Sequence, residues 1–205
     1  CEKINVDIKD ISIGMGLDER IGERFLRAGP AYGGSCFPKD TRALINTGDK
    51  YNANLSIIKS VVKSNNQRKL LLTKKIEKIL KGKLKNKIIT FLGVTFKPNT
   101  DDMREASSIP MINYFNQKKC KIRYFDPSGE KEEFKANKNV KFFKNISSAC
   151  LKSDLIVIHT EWNDFKLLDF KKLVKKNNFI VYDMRNIYSA SKMKQSKIRY
   201  YSIGR

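Results

Sequence analysis

The chain has 205 residues, 40% of them apolar, enough to bury a core as one large domain or two small ones. No apolar run reaches the roughly 18 residues of a membrane-spanning helix, which argues against a membrane span. The formal net charge of +21 raises nucleic acid as a partner, but residues 1–50 are balanced at eight basic and eight acidic side chains, and lysine outnumbers arginine 32 to 10. That pattern reads as compositional bias, so neither a nucleic-acid nor a membrane partner is expected.

Residues 1–16 read as the end of a helix, with Cys1-Glu2-Lys3 as a helix tail. That start, without an initiator methionine, suggests a piece of a longer chain. Gly14-x-Gly16 followed by Gly22 has the wrong spacing for a dinucleotide loop, and no strand-turn-helix context surrounds it. Asp18 and Glu19 suit a helix start, and a helix there would place Arg20, Arg24 and Arg27 on one face. The next stretch, Gly29-Pro30-Ala31-Tyr32-Gly33-Gly34-Ser35-Cys36-Phe37-Pro38-Lys39-Asp40, organises the chain. Its glycines allow close backbone approach and positive φ, and its prolines fix local geometry. It holds one thiol, with Lys39 and Asp40 three and four residues on. Nearby positive charge activates a thiol as a nucleophile, and an acid at i+4 can share its helical face and handle protons. A buried, inert cysteine in a turn is the alternative.

Asp40 opens a helix that stops near Gly48. A long helix follows over about 54–81, its apolar seam from Leu55 to Ile79 interrupted by Asn65 and Lys69, with Gly82 as the stop. The basic stretch Lys81–Lys87 marks a domain boundary, giving a helical region over 1–82 and a second domain over 83–205. From Lys87 strands and helices alternate. Strands are expected at 88–94, 121–125, near 142–143, at 154–159 and at 179–183. Helices are expected at about 108–118, closing at 149–153, and at 165–176. This alternation predicts an α/β fold with a doubly wound parallel sheet, whose ligands sit at the carboxyl ends of the strands. The four cysteines (1, 36, 120 and 150) form no Cys-x-x-Cys pair and no metal-like cluster with the single His159. Free thiols in a reducing cytoplasm are therefore expected.

Gly-x-x-Tyr-Gly-Gly-Ser-Cys-Phe-Pro-Lys-Asp at 29–40 resembles the active-site signature of the nucleotide-sugar 6-dehydrogenases, the UDP-glucose/GDP-mannose dehydrogenase family. Ala31 departs from the glycine that many members carry. Phe96-Lys97-Pro98-Asn99-Thr100-Asp101-Asp102-Met103-Arg104-Glu105 resembles the family's second signature. Asp183-Met184-Arg185-Asn186 resembles an Asp-Gly-Arg-Asn turn with Met184 in place of glycine. The resemblance spans essentially the whole chain. It implies a helical dimerisation region followed by a Rossmann-like domain that binds a UDP-sugar. It also implies NAD-dependent, four-electron oxidation of UDP-glucose, with UDP-N-acetylmannosamine or GDP-mannose as alternative substrates.

By the same resemblance, Cys36 is the nucleophile that carries a thiohemiacetal and then a thioester, and Asp40 positions or deprotonates water. Arg20, Phe25, Leu26, Arg27, Ala28, Gly29, Gly33, Lys97 and Arg185 line the UDP-sugar, Arg20 reaching the ligand of a neighbouring subunit in a homodimer or larger homo-oligomer. Lys39 and Arg104 contact NAD. Thr160-Glu161-Trp162 looks family-like without an assigned chemistry, and His159 reads as a strand-end residue rather than a base. The family's amino-terminal NAD-binding half, with its further catalytic groups, has no counterpart here, so the chain alone is expected to be inactive. A non-catalytic nucleotide-binding or dimerisation module is the reading from another class.

Overall fold

The computed structural model describes residues 1–205. Helix α1 (Ile8–Gly16) is capped by Asp7, whose side chain accepts from the Lys9 amide. Helix α2 (Cys36–Lys50) and helix α3 (Ser56–Ile79) follow. The remaining chain alternates: β1 (Ile88–Leu92), α4 (Ser108–Gln117), β2 (Lys121–Phe125), α5 (Glu132–Lys135), β3 (Val140–Phe142), α6 (Ile146–Cys150), β4 (Leu155–Ile158), α7 (Phe170–Val174), β5 (Ile180–Asp183), α8 (Ala190–Gln195) and β6 (Arg199–Ser202). All strands pair in parallel in the order β3-β2-β1-β4-β5-β6. This is the doubly wound dinucleotide-fold order, in which ligands bind where the order reverses, here outside the carboxyl ends of β1 and β4.

Strands that are apolar on both faces need cover on both. Ile89, Phe91, Leu155, Val157, Ile180 and Tyr182 point to one side and meet Leu72, Ile76, Met111, Ile112 and Phe115. Leu92, Ile156, Ile158 and Val181 point to the other and meet Cys150, Phe165, Phe170, Val174 and Met193. Full burial of each large side chain contributes roughly 1.5–3 kcal/mol. Leu72, Ile76 and Leu80 near the end of α3 belong to the same core as the sheet, so the long helix is anchored in the α/β core. No helix is long and apolar enough to cross a membrane.

Several expectations need correction. Cys1–Asn5 form turns rather than a helix tail, and residues 18–29 are not helical. Gly22 and Phe25 both have positive φ (69° and 67°), which breaks any helix there. Thus Arg20, Arg24 and Arg27 share no helical face. Helix α2 begins at Cys36 rather than Asp40. Pro38 lies in its first turn, where the missing N–H has no partner to lose. The helix expected over 165–176 is a 3₁₀ turn at Asn163–Phe165 followed by α7, which stops where Lys175 turns left-handed (φ 47°).

Candidate active site

Cys36 is the first residue of α2 and is exposed. The helix's first amides lack intrahelical partners, and the helix field at that end favours negative charge. The Cys36 Sγ lies 3.6 Å from the Ser35 hydroxyl. Asp40 stands one turn along the same helix, its carboxylate 3.4 Å from the Lys39 ammonium. The other thiols differ. Cys120 and Cys150 are buried in the sheet layers, and burial pushes them up to about 11 and about 12 respectively.

The turn before Cys36 is held from two sides. On one side stands α3. Asn65 accepts from the Tyr32 amide at 3.0 Å and donates to the Tyr32 carbonyl at 3.2 Å. Arg68 donates twice to the Gly29 carbonyl, at 3.2 and 3.0 Å. On the other side stands the loop after β1. The Gly34 amide donates to the Arg104 carbonyl at 2.8 Å. A Cβ on Gly33 would meet the Glu105 carbonyl oxygen at 2.6 Å. Gly34 has φ +86°, and a Cβ there would meet the Phe96 ring at 2.7 Å. Both glycines are therefore required by contact between the two signature loops.

Arg104, exposed, forms a two-pronged pair with Asp102 at 2.9 and 2.8 Å, which holds that carboxyl below its ordinary range. The Arg104 carbonyl accepts from Gly34, two residues before Cys36. The Lys97 ammonium sits 5.2 Å from the centroid of the Phe96 ring. Arg185 ties three strand ends together: Nε donates to the His159 carbonyl at 2.8 Å, Nη2 donates to the Phe96 carbonyl at 3.0 Å, and Glu161 pairs with it at 2.8 Å. A Cβ on Gly29 would stand 2.9 Å from Arg185 Nη1. A cavity of about 290 Å³ opens beside Arg185 and is also lined by Lys9, Arg27, Ala28, Asn186 and Arg205, a cationic wall suited to phosphate oxygens.

The sheet's own first loop is closed to phosphate. The Val94 and Thr95 amides, at 2.8 and 3.4 Å, donate to the buried Asp126 carboxylate at the end of β2. Thr160 fills the space against Gly93. His159 is buried, with Nε2 2.8 Å from the Ser107 hydroxyl and Nδ1 3.1 Å from Thr160 Oγ1. Burial, aided by Arg185, pushes it down to about 3, so it serves as a neutral structural bridge.

The structure thus brings Gly29 against Arg185, and Gly33 and Gly34, just before Cys36, against Phe96 and the Arg104–Glu105 backbone after β1, while Lys39 and Asp40 contact each other and Lys97 contacts the Phe96 ring. Leu26 is half-buried, and Ala28 packs against the core. Phe25 is fully exposed, and the Arg20 guanidinium bonds only to Asp18, at 3.0 and 2.6 Å. Sequence reasoning missed Asn65, Arg68, Lys69, Arg42 and Glu105. The signal for the α3 residues was present: Asn65 and Lys69 interrupt an otherwise apolar seam, and with Arg68 they share one helical face.

The family described as UDP-glucose/GDP-mannose dehydrogenase, central domain, matches residues 1–67, and its UDP binding domain matches residues 90–190. A UDP-glucose 6-dehydrogenase of Rickettsia felis is 42% identical over 207 residues, covering 100% of this chain and 46% of the relative. One of Rhizobium meliloti is 38% identical over 207 residues, covering 100% and 47%. The solved structure of a UDP-glucose dehydrogenase from the hyperthermophilic archaeon Pyrobaculum islandicum superposes with a TM-score of 0.84 at 26% identity, over 98% of this chain and 44% of that one. The chain spans about half the length of the curated relatives it matches.

Proposed function

Because the chain belongs to the UDP-glucose/GDP-mannose dehydrogenase family, we propose that the whole protein oxidises the C6 primary alcohol of UDP-glucose to a carboxylate, using NAD. The observation that carries this reading is the exposed Cys36 at the start of α2, on a turn locked against the Lys97–Arg104 loop. When bound, NAD accepts the hydrides lost by the sugar carbon. Lys39 and Arg104 fit its charge, being exposed cations whose present partners, Asp40 and Asp102, are their own neighbours. The amides after β1 do not fit it, since Asp126 occupies them.

In this reading the Cys36 sulfur bonds to the aldehyde carbon left by the first oxidation, and the thiol proton ends on the oxygen as a thiohemiacetal. Loss of a second hydride and that proton leaves a thioester. Asp40, one turn along α2, orients the water that displaces sulfur and regenerates the thiol. Arg27, Lys97 and Arg185 hold the sugar nucleotide, and Gly29 and Gly33 leave room for the Arg185 guanidinium and the Glu105 carbonyl that shape this side of the site. Arg20, paired here only with Asp18, serves the ligand of a neighbouring subunit in a homodimer or larger assembly. Phe25, Leu26 and Ala28 line the sugar nucleotide beside Arg27. UDP-glucose is favoured over UDP-N-acetylmannosamine and GDP-mannose by the names of the relatives at 38% and 42% identity.

The test is Cys36→Ser in the whole protein. Production of the sugar acid should be lost while UDP-sugar binding is kept. Acid formation near the wild-type rate would overturn the nucleophile assignment.

A further inference from the structure

Glu105 lies in the second signature loop with φ +55°, a left-handed conformation that a non-glycine residue keeps only when its surroundings hold it. Its carboxylate bridges two helices. Oε1 lies 3.1 Å from Arg42 of α2, and Oε2 lies 3.4 Å from Lys69 of α3. The Lys69 ammonium also reaches the Glu105 carbonyl, at 3.4 Å. That same carbonyl faces Gly33 so closely that no Cβ fits between them, and the preceding carbonyl accepts from Gly34. Cys36 therefore lies between two contacts with the Arg104–Glu105 segment, Gly33–Gly34 before it and Arg42 after it.

We infer that Glu105 is a positioning residue for Cys36, fixing the turn and helix start that carry the thiol by joining the loop after β1 to both α2 and α3. The inference rests on the reading of Cys36 as the nucleophile. Isolated exposed ion pairs contribute little. This carboxylate instead serves two cations, and Lys69, only 11% exposed, is left without an anion when it is removed. The two ion pairs share one carboxylate, so they fail together.

The test is Glu105→Gln, which keeps the shape and removes the charge, read in two ways in the full-length protein. Amide hydrogen exchange should lose protection at Gly34 while Phe91 and Val157 in the sheet stay protected. With UDP-glucose and NAD, kcat should fall about 10- to 100-fold with KM for the sugar nucleotide within about twofold, as expected for a misplaced reacting group. Adding Arg42→Gln should cause little further loss. Unchanged exchange at Gly34, or protection lost evenly across the sheet, would overturn the inference. So would an unchanged kcat. A wild-type protein without dehydrogenase activity would sink the functional reading instead, and the exchange measurement would then decide the role of Glu105 alone.

Discussion

Residues 29–40 and residues 18–28 both carry family-like sequence, yet the molecule treats them differently. The first is gripped by Asn65, Arg68, Phe96 and the Arg104–Glu105 backbone. The second shows Ile21 and Phe25 to solvent, and its arginine at position 20 bonds only within its own turn. The thiol turn is finished by contacts from α3 and the sheet loops, whereas the 18–28 loop is shaped mainly by its own backbone.

The largest expected effect separates two glycines with positive φ. Gly34→Ala should destabilise the protein by about 2–4 kcal/mol, adding a clash with the Phe96 ring to left-handed strain. Gly22→Ala, with open space around its Cβ, should cost only the strain, about 1–2 kcal/mol. Urea midpoints of the two variants measure this. Equal losses would show that the first region is no more tightly held than the second.

A second comparison uses pH. His159, the sole histidine, is pushed by burial down to about 3 from an ordinary value of 6.5. The folded state binds that proton less readily than the unfolded chain. Its contribution is therefore fully present above pH 6.5 and is lost as pH falls through that value towards 3, at up to about 1.4 kcal/mol per pH unit. Wild-type stability should decline between pH 6.5 and about 5, and His159→Gln should flatten that decline. Parallel curves would contradict the buried-neutral assignment.

The smallest expected effect is Arg20→Ala. Its pair with Asp18 is exposed, so the urea midpoint should stay unchanged while activity of the assembled enzyme falls. An unchanged activity would remove Arg20 from the site.

Much of this was legible before any coordinates. Apolar runs such as Ile88–Leu92 and Leu155–Ile158 announce buried parallel strands, because both faces need cover. Edge strand β6 is half-polar, Arg199-Tyr200-Tyr201-Ser202, and offers no such run. The short helices α5 and α8 have too few residues for periodicity to register. In the site, Cys36 and its signature were readable because unusual residue types cluster there. The clamps were not, because Asn65–Tyr32 and Glu105–Arg42 are pairings across 33 and 63 residues that depend on how α3 meets the sheet.

In the proposed reaction Cys36 becomes acylated during turnover. Asp40→Asn should slow hydrolysis more than acylation, so the whole protein should accumulate a covalent sugar adduct on UDP-glucose and NAD. Peptide mass spectrometry after rapid quenching measures this directly. The adduct should sit on the Cys36 peptide, with Cys120 and Cys150 unmodified. Continued formation of the sugar acid with Cys36 unmodified throughout would contradict that reaction.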